Sequence, residues 1–308
     1  EKFTEIPEGI AHFLEHKLFE SEELDAFARY AKTGASANAY TSFDRTCYLF
    51  TCTGHFKENF EILLDFVRHP YFTEETVRKE QGIIGQEIDM YKDSPEWECL
   101  FNMLSAMYHK HPVRIDIAGT KQSISEITAE MLFSCYDTFY NLSNMALAVA
   151  GKTNVDEVLE VADRLLEKDE KVTVERAFEK EPEAVKEHYI EENLPVATPV
   201  FAFGYKENIE GDCCTLEEEI AMSLILDIAA GQISSLYKEL LDEGLINGTF
   251  STEFFNGFNY SAPIFSGEST DPEKVSKRIN ERLQQLKKSG ITSEEFETVR
   301  KKQYGKTV

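Results

Sequence analysis

His12, Glu15 and His16 stand at positions i, i+3 and i+4. A helix turns about 100° per residue, so side chains at i and i+4 point almost the same way, and two imidazoles one turn apart can reach one ion. Zinc takes imidazole nitrogens at ~2.0–2.1 Å and, with a position left open, acidifies a bound water whose proton a nearby carboxylate can accept. Glu15 lies on that helix face. The order is HxxEH, the inversion of HExxH. With seven His and 56 acidic residues among 308, chance yields the pattern in roughly 3 of 100 such chains. The residues alone therefore leave open a plain pair of helix-face histidines satisfied by solvent or backbone.

Two imidazoles need a third ligand. Glu80 and Glu87 are seven residues apart, two helical turns, and so share a face. Ile83 and Ile84 between them put that face on an apolar stripe, where a carboxylate requires a partner. A metal and the groups around it would supply one. The competing reading is two solvated Glu on an acidic surface helix. A purely structural zinc would need four protein ligands, and no fourth is evident.

The elements that must position these groups follow from periodicity. A helix starts near Gly9, with Ile10, Phe13, Leu14 and Leu18 on its packed side. A second runs from Asp25 to Lys32. From Ala35 to Phe43 the period becomes two: Ala35, Ala37 and Ala39 on one face, Ser36, Asn38 and Tyr40 on the other. Small side chains on a strand let another backbone approach. Tyr48–Cys52 pairs with it around Ser42–Arg45. Helices are expected at Phe60–Val67, Glu74–Tyr91, Glu96–Tyr108, Ala129–Tyr140 and Val155–Glu167, and a buried strand at Asn144–Ala150. Charged Lys168–Lys186 reads as a linker. The pattern then restarts, with strands at Ala197–Gly204, Gly248–Phe255 and Tyr260–Ser266. Helices follow at Leu216–Ala230, Ser234–Leu241 and Pro272–Lys288, and Thr292 opens a last one. The division is thus residues 1–167, a linker at 168–186, and a second, incomplete domain at 187–308, two α+β layers of similar plan. An abrupt start without Met and an end inside a helix point to a chain trimmed at both ends.

A formal charge of −24 argues against nucleic acid or an anionic membrane surface as partner. No apolar run approaches the ~18–20 residues of a membrane helix. Six irregularly spaced cysteines fit reduced thiols in a cytoplasmic protein.

HFLEH at 12–16, ANAYTSFDRTCYLF at 37–50 and KEQGIIGQE at 79–87 together resemble the pitrilysin, insulysin and mitochondrial processing peptidase family, within it the bacterial YmfH-type subgroup. The resemblance covers almost the whole chain. It implies two similar α/β domains, each a mostly antiparallel sheet with helices packed on it, facing across a chamber. It implies one zinc per chain on His12, His16 and Glu87, with Glu15 as general base and Glu80 supporting the site. It also implies that Ala37, Asn38, Ala39 and Tyr40 form an edge strand to which a peptide substrate adds. Family members often carry Arg and Tyr in a segment like LRxxGLAY. Here the matching stretch is Leu240–Asn247, with Leu241 for Arg and Asn247 for Tyr. The expected picture is a zinc endopeptidase whose sister subunit, in a hetero- or homodimer, supplies that clamp. A non-catalytic structural or peptide-binding member of the same fold is the alternative. His109 and His111 read as loop residues and Trp97 as a packed anchor.

Overall fold

The computed structural model describes residues 5–307 apart from 168, 178, 208 and 210–212. In chain order the elements are α1 (Ile10–Leu18), α2 (Ala26–Thr33), β1 (Ser36–Thr41), β2 (Thr46–Thr51), α3 (Phe56–Arg68), α4 (Glu74–Lys92), α5 (Pro95–Met107), α6 (Lys121–Ser125), α7 (Ala129–Phe139) and α8 (Val155–Leu165). After these come β3 (Val200–Gly204), α9 (Leu216–Ala230), α10 (Ser235–Asp242), β4 (Ser251–Gly257), β5 (Tyr260–Glu268), α11 (Pro272–Ser289) and α12 (Ser293–Thr307). The fold is mixed α/β with antiparallel sheets.

The chain divides into two compact units: Glu1–Met90 with Ile115–Phe178, and Tyr91–Arg114 with Glu179–Val308. In the first, β1 and β2 form an antiparallel hairpin in which Ala39 faces Tyr48 and Thr41 faces Thr46, closed by Ser42 N–H donating to Arg45. Local chemistry sets the helix ends. Asp25 accepts from the Ala28 N–H to start α2, and Gly34, at φ 71°, ends it. Ile10, Phe13, Leu14 and Leu18 are all buried, so the apolar side of α1 is the one the spacing predicts. Phe60 and Leu64 of α3 pack with Val161 of α8.

In the second unit β5 lies between β3 and β4, antiparallel to both. It carries a buried run, Tyr260–Phe265, as suits the centre of a sheet. Phe201, Phe250 and Phe265 from the strands meet Leu226, Leu240, Val275 and Ile279 from the helices. Helix α5 packs on β3 and belongs to this unit, although it falls within residues 1–167. Leu216–Asp242 is, by length and composition alone, long and apolar enough to cross a membrane. Gly231–Ser234 break it into α9 and α10, and the end of α9 is buried.

Several expectations need correction. Asn144–Ala150 forms no strand; Leu147 and Val149 are exposed, because an apolar alternation says nothing of whether a neighbouring strand is at hand. Ile83 is 45% exposed and only Ile84 is buried, so the apolar stripe of α4 is narrower than two adjacent Ile imply. Helix α3 begins four residues before Phe60, after His55 in the left-handed conformation. Helix α6 was not expected. Its signal is the capping box of Thr120 and Ser123.

Candidate metal centre

Two backbone contacts hold the start of α1. Gly9 caps it at φ 86°, and a Cβ there would lie 2.4 Å from the Ala118 carbonyl oxygen. Gly119, at φ 73°, meets Glu8 in the same way at 2.5 Å. Only glycines allow both the left-handed turns and this approach. Ser123 Oγ, from the capping box of α6, donates to the Glu8 carbonyl at 2.8 Å. The loop before α6 thus fixes where α1 begins.

From that start, α1 carries His12, Glu15 and His16, and α4 brings Glu80 and Glu87 to them. His12 Nε2 lies 3.7 Å from Glu87 Oε1, and His16 Nε2 lies 3.5 Å from Glu87 Oε2. The imidazole rings are 4.6 Å apart, tilted by 60°. One ligand atom from each of the three residues falls within 4.8 Å of the others. His16 Nδ1 is 3.0 Å from Glu80 Oε1. Glu80 is only 6% exposed.

The donor set fits zinc on two grounds. A tetrahedral ion with ligands at ~2.0–2.1 Å has edges of about 3.3–3.4 Å, close to the two Nε2–oxygen separations. In addition, His12 is buried at 7% exposure while its Nδ1 makes no hydrogen bond, and its Nε2 stands beyond good hydrogen-bond distance from Glu87. Protein groups alone leave His12 Nε2 short of a partner, and a cation between it and Glu87 would supply one.

The electrostatics separate the two histidines. Burial, and then the His16 imidazole, hold the His12 pKa below its ordinary value, which favours the neutral, ligating form. Burial also depresses His16, but the Glu80 hydrogen bond and the surrounding carboxylates outweigh it, and its pKa rises. With Nδ1–H donated to Glu80, Nε2 presents its lone pair towards Glu87. Burial lifts the Glu15 pKa above the usual carboxylate range, against a hydrogen bond from Thr41. The Thr41 hydroxyl donates to Glu15 Oε2 at 2.5 Å. Thr41 was not foreseen; its one signal is the inward position at the end of an alternating strand.

On β1, Ala37 and Ala39 are half-buried while Ser36, Asn38 and Tyr40 face outward, as the alternation predicts. Among the described residues β1 pairs with β2 alone, leaving its other edge free. Asn38 Oδ1 accepts from the Ala39 N–H at 2.9 Å.

The expected loop and packing residues lie in the second unit. His111 Nε2 donates to the Phe258 carbonyl at 3.1 Å and its Nδ1 accepts from Val113 N–H at 3.1 Å. Trp97 stacks on Tyr91 at 4.4 Å. Leu241 is exposed, and Asn247 bonds to Glu268 and Thr249 at the entry to β4. Arg300 pairs with Glu297 one turn away, and Tyr304 is exposed.

Residues 4–121 match the family model described as insulinase, peptidase family M16, and residues 126–303 match the one described as the peptidase M16 inactive domain. The chain belongs to peptidase family M16. It is 41% identical to the zinc protease YmfH of Bacillus subtilis, covering 99% of this chain and 72% of that one. The zinc protease YmxG of the same organism is 26% identical, covering 98% and 74%. The crystal structure of an M16-like peptidase from Alicyclobacillus acidocaldarius superposes with a TM-score of 0.93 at 41% identity, over 99% of this chain and 73% of that one. All five residues of the M16 cluster lie in the insulinase match and none in the match to the inactive domain.

Proposed function

We propose that the protein is a zinc-dependent endopeptidase acting on peptides or unfolded polypeptides bound as an added strand. The observation that carries this is the convergence of His12 Nε2 and His16 Nε2 on the two oxygens of Glu87, with His12 otherwise unsatisfied. His12, His16 and Glu87 would hold one zinc, which supplies an acidified water and polarises the scissile carbonyl. Glu15 takes the proton. Its raised pKa brings it nearer to neutrality, where a carboxylate can both accept a proton and return it to the leaving amine. Glu80 holds His16 in the ligating tautomer. The free edge of β1, Ala37–Tyr40, takes the substrate backbone, and its small inward side chains allow close approach.

Leu241 and Asn247 provide no charged or phenolic clamp for the substrate, and Asn247 is already engaged. A sister subunit supplying Arg and Tyr is therefore part of the proposal. The same observation favours the second reading, a non-catalytic member that binds peptide without cutting it. Glu15→Gln decides between them when assayed with the partner subunit present. The expected result is loss of hydrolysis with zinc still bound. Full turnover in Glu15→Gln, or no chelator-sensitive hydrolysis in the unaltered protein, would overturn the enzymatic reading.

A further inference from the structure

Two hydroxyls lead to Glu15. Thr41 Oγ1, which donates to Glu15 Oε2 at 2.5 Å, lies 3.3 Å from Thr46 Oγ1, its cross-strand partner. Both threonines come from the β1–β2 hairpin.

Each hydroxyl has one proton to give, and an ionised carboxylate only accepts. With Glu15 ionised, Thr41 therefore gives its proton to Glu15, and in the Thr41–Thr46 contact it accepts from Thr46. Both hydroxyls then point towards the carboxylate, and hydrogen bonds aligned in this way polarise and strengthen one another. Oε2 is thereby tied, leaving Oε1 for proton transfer.

We propose that Thr41 is a positioning residue for the base, held in its donor direction by Thr46. Thr41 directly follows Ala37–Tyr40 on the same strand. The element that would receive the substrate backbone thus also sets the orientation of Glu15, and strand and base stay in register. This inference rests on reading Glu15 as the general base.

The test compares Thr41→Val, which keeps the shape and removes the hydroxyl, with Thr41→Ser, which restores it. In a peptide assay with the partner subunit, Thr41→Val should lower kcat by about tenfold or more, with KM within about twofold and zinc content unchanged, since misplacing a catalytic group costs kcat. Thr41→Ser should return kcat to within about threefold of the original. Unchanged kcat in Thr41→Val, a loss confined to KM, or equal losses in both variants would overturn the proposal. Crystal structures of the zinc-free proteins give a readout independent of turnover. The Glu15 carboxylate should rotate away in Thr41→Val and return in Thr41→Ser; a carboxylate unmoved in Thr41→Val would overturn the proposal. If the unaltered protein cuts no peptide faster than Glu15→Gln, the endopeptidase reading fails, and the crystal structures alone decide whether Thr41 orients Glu15.

Discussion

Each unit buries a histidine near glutamates, and the two arrangements differ in what is satisfied. In the second unit His111 has a partner on both ring nitrogens. Nearby Glu181 accepts from the backbone N–H groups of His109, Lys110 and His111 at 2.7, 2.8 and 2.9 Å, and from Lys206 Nζ at 2.7 Å. Burial opposes its charge, yet the Lys206 ammonium and the three N–H donors hold the carboxyl at about 2. Each of these four donors has Glu181 as an acceptor. In the first unit His12 lacks a partner on Nδ1, two Nε2 atoms face one carboxylate, and Glu15 is raised rather than depressed. The same residue types build a closed structural tie in one place and an open, convergent set in the other. Incomplete satisfaction of buried polar groups, more than their identity, marks the site.

Four substitutions sharpen the contrast. Glu87→Ala should weaken zinc binding by more than about 100-fold, beyond the range for outer-sphere partners, as followed by calorimetric titration. Glu80→Ala, which frees His16 Nδ1, should cost about 10–100-fold in the same titration. Glu181→Ala should leave zinc affinity alone but destabilise the second unit by about 2 kcal/mol, because three N–H donors lose their acceptor and a nearly buried ammonium loses its counter-charge. The pH dependence has a fixed sign. Glu181 titrates at about 2 in the fold, against an ordinary 4.5, so its contribution is complete above about 4.5 and fades as pH falls towards 2. Acid unfolding of Glu181→Ala should lack that component. Gly9→Ala should cost about 1–3 kcal/mol from an unfavourable positive φ and contact with Ala118, measured by thermal melting. A Glu181→Ala protein that loses zinc, or a Glu87→Ala protein that keeps it, would erase the distinction between the two regions.

Much of the fold was legible because it rests on periodicity and caps. The bounds of α9 coincide with the expected Leu216–Ala230, and the packed face of α1 is the one its spacing gives. HxxEH with two acids at a seven-residue interval located the cluster because helix geometry converts sequence spacing into direction. What escaped depends on partners distant in sequence. Glu181 lies in a charged stretch that reads as linker, and its donors are mostly backbone amides, which carry no sequence signal. Thr41 became visible only when β1 met α1, and Gly9 only when Ala118 was seen against it. Asn144–Ala150 failed for the opposite reason: its pattern was read as pairing, and pairing needs a neighbour.

The most direct test is an anomalous difference map, recorded above the zinc absorption edge, from crystals of the protein grown with zinc. The account predicts one strong peak bounded by His12 Nε2, His16 Nε2 and Glu87, and none beside His111 or Glu181. No peak between those three ligands, or an equal one in the second unit, would contradict it.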